Sequence, residues 1–286
     1  MLAIAGTVPD RDFPLVAGKV RLKDEVIYVQ GKKFPVNRGT PALLASAIKT
    51  CELLDIPGPF GYLAGDIGQG YGSRCLYEHL TRVLKKTGHN TFTFHYLQPD
   101  VDWHNLVMFA LEEMRKRPVL IADAGFMYAA KMSGQSCKYD LFTPDIGELA
   151  FLADEEAPHP FYTRGFILHE ENRVPDLISR AYQHQNAARC LLVKGRKDYV
   201  ADSEGIRAVV DHPSEEAMEA MGGTGDTITG IVAALIESGM TVHEAATAAI
   251  RANRLAGSYA EPTPATQIKD IVRYIPGALE KILYKK

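Results

Sequence analysis

MGGTGDTITG, at residues 221–230, is the stretch of this 286-residue chain that points most directly to a fold. Three glycines within four residues come just before a segment whose apolar residues recur at helical spacing. Glycine tolerates a positive φ and lets a ligand approach the backbone, and the first amides of a helix are unpaired and lie at the positive end of its dipole. The stretch therefore predicts a helix N-terminus that binds an anion such as phosphate, formed by Gly222, Gly223, Thr224 and Gly225.

Asp226 lies in the first turn of this predicted helix. An acid at that position stabilises the helix through its dipole, which is the purely structural interpretation. Beside a group of free amides, the same carboxylate can act as a general base next to a phosphate on which charge develops. We predict the second role, and with it a phosphoryl-transfer site at this turn.

Before this turn, short apolar segments alternate with helical ones. The predicted strands are 60–64, 91–97, 119–122, 141–143 and 191–193, followed by an antiparallel pair at 199–201 and 206–210. Three predicted helices, near 225–239, 242–260 and 268–284, close the chain. Strands alternating with helices indicate an α/β fold with a mainly parallel central sheet, antiparallel strands at an edge and helices on both faces.

Residues 1–58 are β-rich at first and then enter a helix after Thr40 and Pro41, a favourable start for a helix. No linker composition separates this segment from the core at 59–286, so we expect one domain. The N-terminal residues lack a basic region and a long apolar run, and the chain has no membrane-span pattern. We therefore expect a cytoplasmic protein without a membrane partner.

Charge and composition exclude several classes of function. The net charge is −3 and the composition is 46% hydrophobic and 23% charged, typical of a globular domain without general affinity for nucleic acid. The four cysteines are far apart, and the histidines show no zinc-site spacing. The chain also lacks the Walker A, GxSxG and GxGxxG patterns.

Two carboxylates, Asp145 and Glu148, follow a predicted strand in TPDIGE, residues 143–148. Ligands of open α/β sheets bind beyond the carboxyl ends of strands, and Mg²⁺ prefers oxygen ligands while keeping much of its water. The pair could therefore orient Mg²⁺ through water. The structural alternative is that Asp145 caps the next helix and Glu148 completes a capping box.

Two further segments are candidates for ligand contact. Lys194 and Gly195 end an apolar strand, where the lysine could reach a phosphate or could be a solvated edge. Residues 65–72, GDIGQGYG, lie between a predicted strand and a predicted helix. We predict that Gly65, Asp66, Gly68 and Gly70 form a loop that approaches a substrate, with a plain turn as the alternative.

The order of these motifs resembles the ribokinase-like superfamily, and within it the ADP- or ATP-dependent NAD(P)H-hydrate dehydratases. The resemblance covers roughly residues 59–284 and is carried by four segments. VLIADAG (119–125) resembles "vIDADAL", TPDIGE resembles "TPHxGE", LLVKG with YVAD (191–195 and 199–202) resembles "vLKGxxtvia", and GGTGD through Gly230 resembles "GGTGDvLaG".

The resemblance implies a ribokinase-like three-layer sandwich that binds ADP or ATP with Mg²⁺. It implies that Asp226 is the catalytic base beside an anion hole at 222–225, that Lys194 and Gly195 flank the nucleotide phosphates, and that Glu148, with Asp145, organises Mg²⁺. The glycine-rich loop and Asp123 would lie on the substrate side. Family members are commonly oligomeric, so a homo-oligomer is expected.

Three functions remain open on the sequence. The first is a lyase that repairs hydrated NADH or NADPH by phosphorylating the hydrate hydroxyl and then eliminating phosphate. The second is an ATP-dependent kinase of a small hydroxylated molecule, such as a sugar or a vitamin-precursor alcohol, and Asp145 in place of the histidine of "TPHxGE" resembles the "NxxE" pattern of such kinases. The third is a non-catalytic nucleotide-binding module.

Overall fold

The computed structural model of the chain describes residues 1–155, 173–263 and 265–284. The strands are β1 (Leu2–Val8), β2 (Val16–Lys19), β3 (Arg21–Lys23), β4 (Val26–Val29), β5 (Lys32–Pro35), β6 (Phe60–Gly65), β7 (Thr91–His95), β8 (Val119–Ala122), β9 (Leu141–Phe142), β10 (Cys190–Val193), β11 (Asp198–Asp202) and β12 (Gly205–Val210). The helices are α1 (Thr40–Leu53), α2 (Tyr71–Val83), α3 (Val101–Glu112), α4 (Gly125–Met132), α5 (Ile146–Ala153), α6 (Val174–Gln183), α7 (Thr224–Glu237), α8 (Val242–Ala260), α9 (Ile268–Val272) and α10 (Ile275–Leu283).

Nine strands form the central sheet in the order β12-β11-β10-β9-β8-β7-β1-β6-β2. The pairs from β10 through β6 are parallel, and β11, β12 and β2 add antiparallel strands at the two edges. Strands β3, β4 and β5 form a separate three-stranded antiparallel sheet. The predicted mainly parallel sheet with antiparallel edge strands is confirmed.

Helices cover both faces of the central sheet, as predicted for a three-layer sandwich. Alternate residues of β1 divide between the two layers, with Leu2 and Ile4 packing on one side and Ala3 and Ala5 on the other. The first side carries α1, α7, α8, α9 and α10, and the second carries α2 to α6. Among the helices that the structure describes, none has the length and apolar character needed to cross a membrane.

Helix α7 packs unusually closely on α1, and Gly230 makes this possible. A Cβ atom at Gly230 would lie 2.1 Å from the Ser46 hydroxyl and 2.2 Å from the Leu43 carbonyl oxygen. The last glycine of MGGTGDTITG is thus required by packing between helices rather than by a ligand. This contact fixes the N-terminus of α7, where Asp226 lies, against the N-terminal part of the chain.

Two elements differ from the sequence prediction. Strand β1, which lies between β7 and β6, was not among the predicted strands, and it brings the first residues of the chain into the middle of the sheet. The single helix predicted near 268–284 is two helices, α9 and α10. The break falls at Arg273 and Tyr274, because Pro276 begins a new helix and cannot continue the previous one.

Candidate active site

The N-terminus of α7 faces the larger of two neighbouring cavities, a cleft of about 670 Å³. Gly223 precedes the helix with φ 109°, a left-handed conformation that favours glycine. Within the described residues no side chain caps this helix end, so its first amides carry no side-chain partner. Gly223, Thr224, Gly225 and Asp226 line the cleft, which brings most of the predicted anion-binding turn and the predicted base to one surface, whereas Gly222 packs against Arg38.

The carboxylate of Asp226 is 8% exposed and is held at both oxygens. Its Oδ2 accepts a hydrogen bond from the Gly39 amide at 2.6 Å, and its Oδ1 lies 3.0 Å from Nε2 of His95. Burial alone would raise the pKa of Asp226, but the hydrogen bond from His95, the positive charge of Lys194 and the hydrogen bond from the Gly39 amide hold that pKa below its usual value. The carboxylate is therefore ionised and able to accept a proton near neutral pH.

Neither His95 nor Gly39 was predicted as a site residue. His95 ends β7 and is 0% exposed, and Gly39 immediately precedes α1. Neither residue belongs to a recognisable motif. The position of His95 near the end of the strand predicted at 91–97 was the one available signal, because the other site residues also lie at or after the ends of strands.

Asp123 and Lys194 form a buried ion pair on the floor of the same cleft. The Lys194 ammonium lies 3.0 and 2.9 Å from the two Asp123 oxygens, and Asp123 also accepts from the Thr229 hydroxyl at 2.7 Å. Burial disfavours the lysine charge, but the carboxylates of Asp123 and Glu148 raise the pKa of Lys194 above its usual value. Lys194 therefore carries a positive charge near neutral pH. This charge lies beside the α7 turn, because Nζ of Lys194 is 3.6 Å from the position that a Cβ atom of Gly225 would occupy.

Asp145 and Glu148 form the capping box that was the structural alternative, at the start of α5. Asp145 Oδ1 accepts from the Glu148 amide at 2.7 Å, and Glu148 Oε2 accepts from the Asp145 amide at 2.8 Å. Both residues also line the cleft. Burial together with the negative charges of Asp145 and Asp123 raises the pKa of Glu148 well above its usual value.

The oxygen donors of this pair fit a hard cation. Crowded carboxylates destabilise one another, and a divalent cation relieves that repulsion. The capping box does not use Asp145 Oδ2, and Glu148 Oε1 accepts one long hydrogen bond, of 3.3 Å, from the Tyr128 hydroxyl, which leaves a further lone pair on that oxygen. Oxygen atoms therefore remain to bind Mg²⁺ directly or through water.

Arg254 supports the wall of the cleft that carries Gly195. Its guanidinium donates to Asp198 at 2.6 Å and to the carbonyl oxygens of Gly195 and Arg196 at 3.0 and 2.8 Å. Asp198 in turn accepts from the Gly195 amide at 3.0 Å. This buried arginine on α8, which the sequence analysis did not single out, keeps the loop after β10 in place.

The glycine-rich loop is organised around Asp66. Its Oδ1 accepts from the amides of Gly68, Gln69 and Gly70, and its Oδ2 accepts from the amide and hydroxyl of Ser73. Asp66 and Gly68 line a second cavity of about 340 Å³. Gly65 has a packing role instead, because a Cβ there would lie 2.0 Å from the Asp10 carbonyl oxygen.

Tyr96 stands between the two cavities and lines both of them. Its φ is 52°, which is rare for a bulky residue, and its carbonyl accepts from the Thr7 hydroxyl at 2.8 Å. The negative charge of Asp226, and then burial, raise the pKa of Tyr96, so it stays neutral. Gly39 and Thr40 also line the second cavity, so Asp226 lies at the junction of the two spaces.

Asp123 is the predicted site residue whose surroundings differ most from expectation. Asp123 was predicted to lie on the substrate side, with the glycine-rich loop. In the structure it lines the 670 Å³ cleft beside Lys194, whereas the loop residues Asp66 and Gly68 line the smaller cavity.

Comparison with known families identifies the chain. Residues 97–276 match the family model described as NAD(P)H-hydrate dehydratase. The chain belongs to the NAD(P)H-hydrate dehydratase family. This confirms the resemblance drawn from the four sequence motifs, all of which lie within the matched residues, whereas the glycine-rich loop at 65–72 precedes them.

This dehydratase family member is similar to proteins of Methanocaldococcus jannaschii and Cenarchaeum symbiosum. An uncharacterized protein of Methanocaldococcus jannaschii is 40% identical over 242 residues, which cover 84% of this chain and all of that protein. The ADP-dependent (S)-NAD(P)H-hydrate dehydratase of Cenarchaeum symbiosum is 28% identical over 177 residues. Those residues cover 61% of this chain and 56% of that protein, so the match spans just over half of the Cenarchaeum enzyme.

Solved structures agree on the fold. A ribokinase-like superfamily protein of Enterococcus faecalis superposes with a TM-score of 0.60 at 17% sequence identity, over 98% of this chain and 87% of that one. At this low sequence identity the likeness concerns the fold alone, which is ribokinase-like.

Proposed function

We propose that this chain is a nucleotide-dependent NAD(P)H-hydrate dehydratase. It uses ADP or ATP to phosphorylate the hydroxyl of hydrated NADH or NADPH, and elimination of phosphate then restores the reduced dinucleotide. Family membership supports this reaction. The observation that carries it is an ionised, buried Asp226 in the first turn of an uncapped helix that opens onto a cleft of about 670 Å³.

Each part of this arrangement fits one requirement of phosphoryl transfer, which depends on positioning and charge stabilisation. Asp226 accepts the proton of the hydroxyl as the hydroxyl oxygen bonds to the terminal phosphorus, and the bond from that phosphorus to the rest of the nucleotide breaks, with the shortened nucleotide as the leaving group. The amides at 223–226 stabilise the charge on the phosphoryl oxygens, as helix N-termini do for anions. Lys194 adds a fixed positive charge beside that turn.

The two cavities suit two ligands that meet at Asp226. We assign the nucleotide to the larger cleft, whose walls carry Lys194, Gly195 and Glu148. We assign the hydrated nicotinamide to the smaller cavity, whose wall carries Asp66, Gly68 and Tyr96. Gly39, which donates to Asp226, lines that smaller cavity, so the base lies where the hydroxyl and the phosphate must meet.

Glu148 and Asp145 are the residues that we propose for Mg²⁺. When bound, Mg²⁺ would neutralise part of the negative charge on the nucleotide phosphates. The chain's own contribution is to hold the two carboxylates at the start of α5 through their capping box.

A kinase of a small alcohol shares the first chemical step, so the test must follow both stages. The protein is incubated with prepared NADH hydrate and either ADP or ATP, and the absorbance of reduced nicotinamide is recorded together with nucleotide consumption. Recovery of that absorbance, dependent on nucleotide, is expected. Nucleotide consumption only with added sugars or vitamin-precursor alcohols, with no recovery, would identify a kinase. Binding of nucleotide without either reaction would identify a non-catalytic module.

A further inference from the structure

We propose that His95, held in place by Thr40, is the positioning residue of Asp226. It keeps the carboxylate turned toward the junction of the two cavities and bound by a donor at Oδ1. This inference rests on the proposed function for its kinetic readout, but its structural claim is tested without any substrate.

The three side chains form one connected chain of hydrogen bonds. His95 Nε2 lies 3.0 Å from Asp226 Oδ1, and His95 Nδ1 lies 3.0 Å from Thr40 Oγ1. His95 and Thr40 are both 0% exposed. Gly6 of β1 leaves room for them, because a Cβ there would lie 2.6 Å from Thr40 Oγ1 and 2.8 Å from the His95 carbonyl oxygen.

The surroundings determine which nitrogen of His95 carries its proton. Within the described residues, the Thr40 hydroxyl has no hydrogen-bond partner other than His95 Nδ1. A buried hydroxyl proton left without an acceptor is costly, so Thr40 donates to Nδ1. Nε2 therefore carries the ring proton and donates it to Asp226, which is the arrangement that an ionised carboxylate requires.

A second donor completes the hold on Asp226. The Gly39 amide donates to Oδ2 at 2.6 Å, and Gly39 has φ 83°, a conformation that glycine adopts without strain. Rotation of the carboxylate would break both hydrogen bonds. His95 and Gly39 thus fix its plane from two different elements, β7 and the start of α1.

Other charged groups face this pair. Asp123 Oδ2 lies 3.9 Å from His95 Nε2, Lys194 pairs with Asp123, and the Tyr96 ring packs edge-on against the His95 ring at 4.3 Å between centroids. These groups also influence the pKa of Asp226. The effect of His95 is therefore measured by comparing the pH profile of kcat between variants of His95 and the wild type.

The kinetic test compares His95→Leu with His95→Gln. Glutamine can place an N–H near the position of Nε2, so we expect kcat of His95→Gln to stay within about threefold of wild type. Leucine has no donor, so His95→Leu should lower kcat by roughly 10- to 100-fold, which is part of the rate enhancement that a positioned base contributes. The KM for nucleotide should not change. In His95→Leu the acidic limb of the kcat profile should move to higher pH, because Asp226 loses a donor that favours its ionised form.

His104→Leu is the matched control. His104 is also 0% exposed and also lies within hydrogen-bond distance of two side chains, Tyr139 and Ser133, but it packs in the layer on the other face of the sheet. Its loss should reduce stability without changing the pH profile of kcat. Equal kcat values for His95→Leu, His95→Gln and the wild type would overturn the positioning role.

The second measurement needs no substrate and no stable leucine variant. Nitrogen-15 NMR of the histidine rings should show His95 of the wild type as a neutral ring protonated at Nε2, and Thr40→Val should alter that signal because Nδ1 loses its donor. A wild-type ring protonated at Nδ1 alone, or a signal unchanged in Thr40→Val, contradicts the proposal. If the wild type fails to restore NADH from its hydrate, the proposed function fails, whereas the NMR result still decides the role of His95.

Discussion

The backbone amide of Gly39 donates a hydrogen bond to Asp226 Oδ2 at 2.6 Å, across a sequence separation of 187 residues. His95 contacts the other oxygen of the same carboxylate. Both residues lie before residues 97–276, the part of the chain that matches the family model. The N-terminal third of the chain therefore completes the surroundings of Asp226, the proposed base, which lies within the residues that match the family model.

Asp226→Asn tests whether this carboxylate accepts a proton. The amide keeps the size of the side chain but removes the base, so turnover should fall by roughly 10²–10⁴-fold while nucleotide affinity changes little. Steady-state rates and nucleotide titration measure the two quantities. Asp176→Asn is the matched control, because Asp176 is also an acid in the first turn of a helix, at the exposed start of α6. Activity within a few-fold of wild type in Asp226→Asn would assign Asp226 a dipole role only.

Glu148→Gln tests the proposed magnesium ligand. Glutamine can still accept the Asp145 amide hydrogen bond and so preserve the capping box, but it loses the charge that attracts the cation. We expect the Mg²⁺ concentration for half-maximal rate to rise roughly 10-fold or more. Glu244→Gln alters the equivalent capping-box glutamate at the start of α8 and should leave the Mg²⁺ titration unchanged. An unaltered titration in Glu148→Gln removes that residue from the site.

Lys194→Met tests the buried ion pair. Removing the lysine leaves the Asp123 carboxylate, 3% exposed, without its cation, so the free energy of unfolding should fall by about 3–5 kcal/mol. Urea unfolding measures it. Lys197→Met removes a lysine that is 57% exposed and should cost at most about 1 kcal/mol. The double variant with Asp123→Asn should recover part of the loss, and no recovery would mean that the pair does not interact as the structure indicates.

His104 makes stability depend on pH. Burial away from water lowers its pKa from 6.5 to about 4 in the folded protein. Between these values the unfolded chain binds more protons than the folded one, so stability is present above pH 6.5 and is lost as the pH falls toward 4. Between pH 7 and pH 5 this residue should remove about 2 kcal/mol from the free energy of unfolding. His104→Gln should show a correspondingly smaller decrease over that range in urea unfolding, and an identical decrease would refute the assignment.

Much of the fold could be predicted because hydrophobic pattern reports local structure. Strand β8 occupies the residues predicted for it, and β11 and β12 form the antiparallel pair predicted at 199–201 and 206–210. Strand β1 escaped prediction because it is buried on both faces and so shows no alternation, and because it contains small residues such as Ala3 and Gly6. Only its pairing with β6 and β7 makes it a central strand.

The site could be predicted in part for a related reason. The GGTGD turn carries its own chemistry, since glycines, helix amides and an acid are adjacent in sequence. His95, Gly39 and Arg254 are single residues outside any motif, and only the packing of α7 against α1 and the order of the strands bring them to the cleft. A lone histidine or arginine in a sequence does not reveal which carboxylate it will contact.

The central claim is that the N-terminus of α7 holds the phosphoryl group while Asp226 receives the proton. A crystal structure of the protein with ATP and Mg²⁺ tests this most directly. The account predicts the terminal phosphate within hydrogen-bond distance, roughly 2.7–3.2 Å, of the amides at 223–226, on the side of the cleft that Asp226 faces. The claim would be contradicted by a nucleotide whose phosphates lie away from that turn, while Asp226 stays hydrogen-bonded to His95 and Gly39 and does not reach the phosphates.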